Sequence, residues 1–329
     1  MDVVRVVIIG GTRFIGRRIT EQLVNRGDEV LVVHRGAAEP ENWVRCRHLH
    51  VDRKDFRRVA DQVRHFAPDA VVDTLAMTRA DADAVLPHLP DVPLVMLSSM
   101  DVYRAYELVM SGRAGIAVPF GEDAPLREDR YPHQGTDPGL EGYSIDMDRY
   151  DKLDVEPLYL QRGGTVLRLG MVYGEGDAQR REEFILRRVR ADRRRIPVGE
   201  GTWRWTRVYV GDVARAVLAV LNTPEAHGEV FNLGESTTPT VRDWIGQILA
   251  AAGHDAILVG VPAEVLPPDL IMTGRIPQDL LAANDKVRRV LGWEPGNQTE
   301  AVRRSVCWHL AHPPAHPDAD FTADDRALQ

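Results

Sequence analysis

The chain has 329 residues, 44% of them hydrophobic and 6% aromatic, with a formal net charge of −8 and a sequence pI of about 5.8. That length suffices for one large α/β domain or two coupled ones. The acidic balance argues against a general nucleic-acid binder and leaves room only for a local basic patch. The two cysteines, Cys46 and Cys307, are far apart in sequence and suggest neither a disulfide framework nor a metal-ligand spacing, so reduced thiols and no metal are expected.

Residues 3–9 are a β-branched run with no basic leader ahead of it. No apolar run approaches the roughly 20 residues of a bilayer span, so a cytoplasmic protein is expected. Residues 14–26 read as a helix ended by Gly27, and 29–33 as a second strand. Residues 70–75 and 94–98 are further apolar strands, each after a helical stretch. Continuous apolar strands alternating with helices predict a doubly wound parallel sheet of the Rossmann type, covered on both faces. Residues 101–143 are rich in glycine and proline and read as loops with one short helix at 106–111. A helix near 146–161, a strand at 165–169, another at 208–210, a helix at 212–221, a strand at 230–233 and a helix at 241–252 follow. The proline- and aspartate-rich residues 313–329 have little to bury and are expected to be a disordered tail.

Between the first strand and first helix stands Gly10-Gly11-Thr12-Arg13-Phe14-Ile15-Gly16. A Gly-rich turn there presents backbone N–H groups and a helix N-terminus to a pyrophosphate; Gly10 permits the turn and Gly16 the close helix–strand packing. Arg13 occupies the place of the usual middle glycine and brings a guanidinium to the nucleotide. The second strand ends Val33-His34-Arg35, without the acid that binds a ribose 2′-hydroxyl. Arg13 and Arg35 suit a 2′-phosphate instead, which favours NADP over NAD. Asp52 is placed to meet the adenine, and Thr12, Phe14, Ile15, Leu75 and Ala76 complete the expected cofactor lining.

The ordered motifs resemble the extended short-chain dehydrogenase/reductases, the NAD-dependent epimerase/dehydratase family. They are the 10–16 loop, Leu97-Ser98-Ser99-Met100-Asp101-Val102-Tyr103, Leu167-Arg168-Leu169-Gly170-Met171-Val172-Tyr173-Gly174, Val208-Tyr209-Val210-Gly211-Asp212-Val213-Ala214, and Lys286-Val287-Arg288-Arg289-Val290-Leu291-Gly292-Trp293. The Arg13 loop resembles an atypical subgroup that includes chloroplast stem-loop RNA-binding proteins. The resemblance implies a dinucleotide domain over 1–173, to which 205–235 return, and a smaller α/β substrate domain over 174–312, built mainly from 174–204 and 236–312. It also implies a cleft between them, a small-molecule substrate and a homodimer, with no membrane association.

Chemistry in this family uses a Ser or Thr, a Tyr, and a Lys four residues after the Tyr on one helix, so that both meet the nicotinamide. Ser99 matches the hydroxyl position, and Lys152-Leu153-x-x-Glu156 matches the lysine. Four residues before Lys152 stands Asp148. Tyr150 is two residues before it, which on a regular helix faces elsewhere, and Tyr143 is nine before it. Three readings stand: Asp148 as a carboxylate base supported by Lys152; a tyrosine from elsewhere (Tyr103, Tyr143 or Tyr150) filling the place; or loss of the standard chemistry, which leaves a dinucleotide-binding sensor or RNA-associated protein. The segment between Ser99 and Lys152 is long for the family and carries Arg130-Tyr131-Pro132-His133-Gln134-Gly135 near the expected cleft, as a lid or a surface elaboration. Trp205, flanked by Arg204 and Arg207, stands where sugar-nucleotide enzymes of the family commonly carry an arginine, and Trp203 and Trp205 together suggest a flatter, less polar ligand or simple interface packing. The arginine-dense stretch 180–195 reads as an amphipathic helix with a solvated basic face.

Overall fold

The computed structural model describes residues 3–37, 39, 43–137 and 145–329. The strands are β1 (Arg5–Ile9), β2 (Glu29–His34), β3 (Arg47–His50), β4 (Ala70–Asp73), β5 (Leu94–Ser99), β6 (Thr165–Leu169), β7 (Met171–Tyr173), β8 (Arg195–Val198), β9 (Arg207–Tyr209), β10 (Val230–Leu233) and β11 (Ile257–Gly260). The α-helices are α1 (Phe14–Arg26), α2 (Ala60–Phe66), α3 (Arg79–Val85), α4 (Arg104–Met110), α5 (Lys152–Leu160), α6 (Glu183–Arg190), α7 (Val210–Leu221), α8 (Val241–Ala251), α9 (Asp285–Leu291), α10 (Gln298–Ala311) and α11 (Thr322–Ala327). Seven strands form one parallel sheet in the order β10-β6-β5-β4-β1-β2-β3. No helix among the described residues is long and apolar enough to cross a membrane.

Strand alternation explains why the sheet is covered on both sides. Val6 and Ile8 of β1 pack with Ile19 and Leu23 of α1, whereas Val7 and Ile9 point the other way to Phe56, Val63 and Tyr159. Each such buried side chain contributes about 1.5–3 kcal/mol. The strand order reverses between β1 and β4, so the loops at their C-terminal ends diverge and leave a crevice there. Beside the sheet, α6, α8 and α10 pack through Ile185, Leu186, Trp244, Ile248, Val302 and Val306, continuous with the core around α1 and α7. Two small parallel pairs, β7 with β9 and β11 with β8, complete this side.

Three expectations are corrected. The helix expected from residue 146 begins only at Lys152. Asp151 is its extended N-cap, accepting from the Leu153 amide at 2.9 Å, and it is gripped by Arg127, by Arg130 at 2.8 Å and by the Tyr131 amide at 3.1 Å. An N-cap held this way cannot be a helix-interior residue. The tail is not disordered throughout: α11 docks on α6, and the buried Asp324 accepts from Arg188 at two points, both 2.7 Å. The same contact corrects the solvated basic face of α6. Arg187 and Arg188 are buried and paired with Asp269 and Asp324, partners that lie more than 80 residues away in sequence.

Candidate active site

The 10–16 loop turns as its glycines require. Gly10 has φ +89, a region open to glycine, and a Cβ on Gly16 would lie 2.1 Å from the Gly10 carbonyl oxygen. Arg13, the N-cap of α1, makes no side-chain cap hydrogen bond. The first amides of α1 thus stand without a side-chain acceptor at a cavity of about 240 Å³. Gly10, Thr12, Arg13, Phe14, Ile15 and Gly16 line one side of this cavity; Arg35, Asp52 and Leu75 line the other. Asp52 also caps the turn after β3, accepting from the Lys54 amide at 3.0 Å. Ala76 is fully buried and does not line the cavity, but its carbonyl accepts from Lys152. Beneath Leu75 lies a group the sequence did not single out. Burial would raise the Asp73 carboxyl, yet the Arg53 guanidinium at 2.9 Å holds it below its ordinary range, and Tyr159 donates to it at 2.6 Å.

A second cavity of about 600 Å³ adjoins the first, sharing Phe14, Ile15, Thr74 and Met77. Ser99, Asp101, His133, Tyr150 and Lys152 all line it. Ser99 ends β5 and accepts from the Asp101 amide at 3.2 Å. The buried Lys152 ammonium donates to the carbonyls of Ala76 at 2.7 Å and Leu97 at 3.0 Å. Burial lowers Lys152 from 10.5 to about 8, against the pull of Asp101 and Asp73. Glu156, four residues on, serves structure: it accepts from Ser98 at 2.5 Å and from Arg168 at 2.8 Å, and so locks α5 onto the sheet.

Because α5 starts at Lys152, Tyr150 lies in the preceding turn and its side chain is free of helical phase. Its phenol donates to Asp101 Oδ2 at 2.9 Å, and both Tyr150 and Ser99 line this cavity. Lys152 Nζ stands 5.9 Å from the ring centroid. Burial first, and then Asp101, push the phenol well above its ordinary pKa. It therefore stays protonated near neutrality and acts as a donor. His133, half-buried, reaches Asp101 Oδ2 at 3.3 Å and packs edge-on against Tyr150 with ring centroids 5.0 Å apart.

The other candidates lie elsewhere. Asp148 is exposed and accepts from the Gly135 amide at 2.8 Å. Tyr103 is buried, donating to Asn232 at 2.7 Å and accepting from Arg168 at 2.9 Å. Tyr143 falls outside the described residues. Trp203 is buried and donates to the Met272 carbonyl at 2.7 Å, whereas Trp205 lines the cavity. Asp101 is a functional residue whose role the Leu97–Tyr103 motif does not by itself reveal. It is buried, two residues after Ser99, and its Oδ1 has no partner among the described residues. One signal was available: a carboxylate beside a catalytic-type hydroxyl at a strand end. For Tyr150 the signal was Asp151 with Asp154 three residues later, an N-cap pattern that ends the helix before the tyrosine.

Comparisons with known proteins agree with this architecture. The profile of the NAD dependent epimerase/dehydratase family matches residues 6–87 and 158–234. The chain is 27% identical to the Arabidopsis thaliana chloroplast stem-loop binding protein of 41 kDa b, over 98% of this chain and 84% of that one. It is also 27% identical to a 3-diazoavenalumate denitrifying reductase of Streptomyces sp, over 88% of this chain and 96% of that one. Among solved structures, dTDP-glucose 4,6-dehydratase from Bacillus anthracis in complex with NAD superposes with a TM-score of 0.67 at 16% identity, over 94% of this chain and 97% of that one, a likeness of fold. With its seven-stranded parallel sheet and its glycine loop at the sheet's crevice, the chain shares the fold of these proteins, and its residues 6–87 and 158–234 carry the profile of the NAD dependent epimerase/dehydratase family.

Proposed function

We propose that the chain reduces a carbonyl group on a small, largely apolar substrate with NADP(H), through Ser99, Tyr150 and Lys152. The observation that carries this reading is the Tyr150 phenol, hydrogen-bonded to Asp101 and lining one cavity with Ser99 and the buried Lys152, next to the glycine-loop cleft. The cleft suits a dinucleotide: a Cβ at Gly16 would fill the space the turn needs, and α1 lacks a side-chain cap. When bound, the nicotinamide supplies the hydride that adds to the carbonyl carbon. The Ser99 hydroxyl and the Tyr150 phenol hold the carbonyl oxygen, and Tyr150 gives it a proton as the carbon–oxygen double bond becomes single. Lys152 stabilises the phenolate left behind. His133, at the open face of the cavity, relays a solvent proton back towards Tyr150 along Asp101. A phenol held protonated suits reduction better than oxidation, which needs the phenolate first.

Two features support the finer points. Arg13 and Arg35 line the adenosine end of the cleft, and guanidinium forks match a 2′-phosphate. The substrate cavity has Met171, Val172, Leu169 and Trp205 in its walls, and Arg181, its one arginine among the described residues, is paired with Asp177 at 3.3 Å. Arg204 and Arg207 pair with Asp279 and Glu235. Such a cavity favours an aromatic or aliphatic carbonyl compound over a nucleotide diphosphate sugar. An RNA-associated role loses its basic surface, since Arg187 and Arg188 face internal acids. The test is a fluorescence titration with NADPH and NADH, followed by a screen of carbonyl compounds for NADPH oxidation. Tighter NADPH binding that Arg35→Glu reverses, with turnover of an aromatic or aliphatic carbonyl, is expected. Preferred NADH binding would overturn the 2′-phosphate reading, and turnover without net NADPH consumption would overturn reduction in favour of epimerisation.

A further inference from the structure

Three imidazoles and a carboxylate converge at the far edge of the main sheet. In the β2–β3 ladder His34 is paired with His50, and His48 lies two residues before His50 on the same strand. Side chains two apart on a strand share a face, so the register places His34, His48 and His50 on one side of the edge strand β3 and its neighbour β2. Glu39, from the connection between those strands, closes the group. His34 Nε2 is 2.9 Å from His48 Nδ1 and 3.4 Å from Glu39 Oε1, and His50 Nε2 is 2.5 Å from the same oxygen. One ligand atom from each of the four residues lies within 4.8 Å of all the others. Behind them His48 Nε2 is 3.3 Å from Cys46 Sγ.

We propose that His34, His48, His50 and Glu39 form a site for a divalent transition-metal ion of the zinc type. Imidazole nitrogens with one carboxylate are a zinc donor set, and four donors meet its tetrahedral preference. Bonds of about 2.0–2.2 Å place neighbouring tetrahedral donors about 3.3 Å apart, so the shortest contacts open by less than 1 Å, and the widest pair, no more than 4.8 Å apart, closes by at most about 1.5 Å to admit the ion. On binding, the hydrogens that bridge His34 to His48 and His50 to Glu39 leave the ligand atoms, and for the neutral His34 this is a change of tautomer rather than a net release. His34 then carries its proton on Nδ1, and the Gly36 amide, which donates there at 3.2 Å in an exposed turn, transfers to water. His48 keeps its Nε2 proton towards Cys46 Sγ, the outer hydrogen bond that orients a metal-ligating histidine. The site clamps the chain between β2 and β3 at the adenosine end of the cofactor cleft, which His34 itself lines. It is independent of the reaction proposed above.

The test is calorimetric titration of the metal-free, untagged full-length chain with Zn²⁺, and its visible spectrum with Co²⁺. The expected result is a single tight site and the intense absorption of tetrahedral cobalt. His50→Ala and Glu39→Gln should weaken binding by at least about tenfold, while His65→Ala, on α2 and exposed, leaves it unchanged. Glu39→Gln changes a half-exposed side chain and keeps the fold even if His50→Ala does not. No saturable Zn²⁺ binding by the unsubstituted chain, or binding that Glu39→Gln and His50→Ala leave intact, would reduce the cluster to a hydrogen-bonded histidine network.

Discussion

Replacing Tyr150 with phenylalanine removes one oxygen and little else, and the structure sets the scale of the result. The phenol is buried and donates to Asp101 Oδ2 at 2.9 Å. Among the described residues Asp101 Oδ1 already lacks a partner, so the variant leaves the carboxylate with His133, at 3.3 Å, as its one side-chain donor there. An unsatisfied buried acceptor costs about 1–3 kcal/mol, and a urea melt should show a loss in that range. Catalysis should suffer more. Loss of a positioned general acid lowers rate by about 10²–10⁴, or about 3–5 kcal/mol of barrier. Tyr150 does not line the glycine-loop cleft, so the dissociation constant for NADPH should stay within about twofold. The assay is the decay of nicotinamide absorbance with a carbonyl substrate, run beside Asp148→Asn. Among the described residues the aspartate holds just the Gly135 amide at the surface, and its replacement should leave the rate unchanged. A Tyr150→Phe enzyme at full rate, or an inactive Asp148→Asn enzyme, would refute the assignment.

Lys152 has a stability signature of its own. Its folded value of about 8 lies below the ordinary 10.5, so between those pH values the unfolded chain binds more protons than the folded one. Stability from this group therefore rises with pH across that window. Lys152→Met should flatten the rise in denaturant midpoint between pH 8 and pH 10, and an unchanged slope would show that the burial is not felt. Asp324→Asn breaks the buried contact between α11 and Arg188 and should cost about 3–5 kcal/mol in a urea melt. A loss below about 1 kcal/mol would mean that α11 frays at little cost. Gly16→Ala places a Cβ 2.1 Å from the Gly10 carbonyl oxygen and should weaken NADPH binding at least about tenfold; unchanged binding would remove the loop from the cofactor site.

The sheet and the nucleotide cleft are legible in the amino-acid sequence, because both rest on local patterns. Val6, Val7 and Ile8 are apolar whichever way they point, as a strand buried on two faces must be. Gly10 and Gly16 satisfy steric demands set within seven residues of chain. What only the tertiary structure decided depends on charges brought together from afar. Arg127 and Arg130 grip Asp151 and so fix where α5 begins, and that boundary turns Tyr150 into the cavity and leaves Asp148 outside. Asp269 and Asp324 bury the arginines of α6, and Asp324 orders a tail whose composition alone has too little to bury. The ladder between β2 and β3 likewise gathers three histidines on one face, a convergence that spacing along the chain does not reveal. Hydrophobic periodicity is written in neighbouring residues, whereas a buried ion pair or a ring of ligands exists only once the strands and helices that carry it have met.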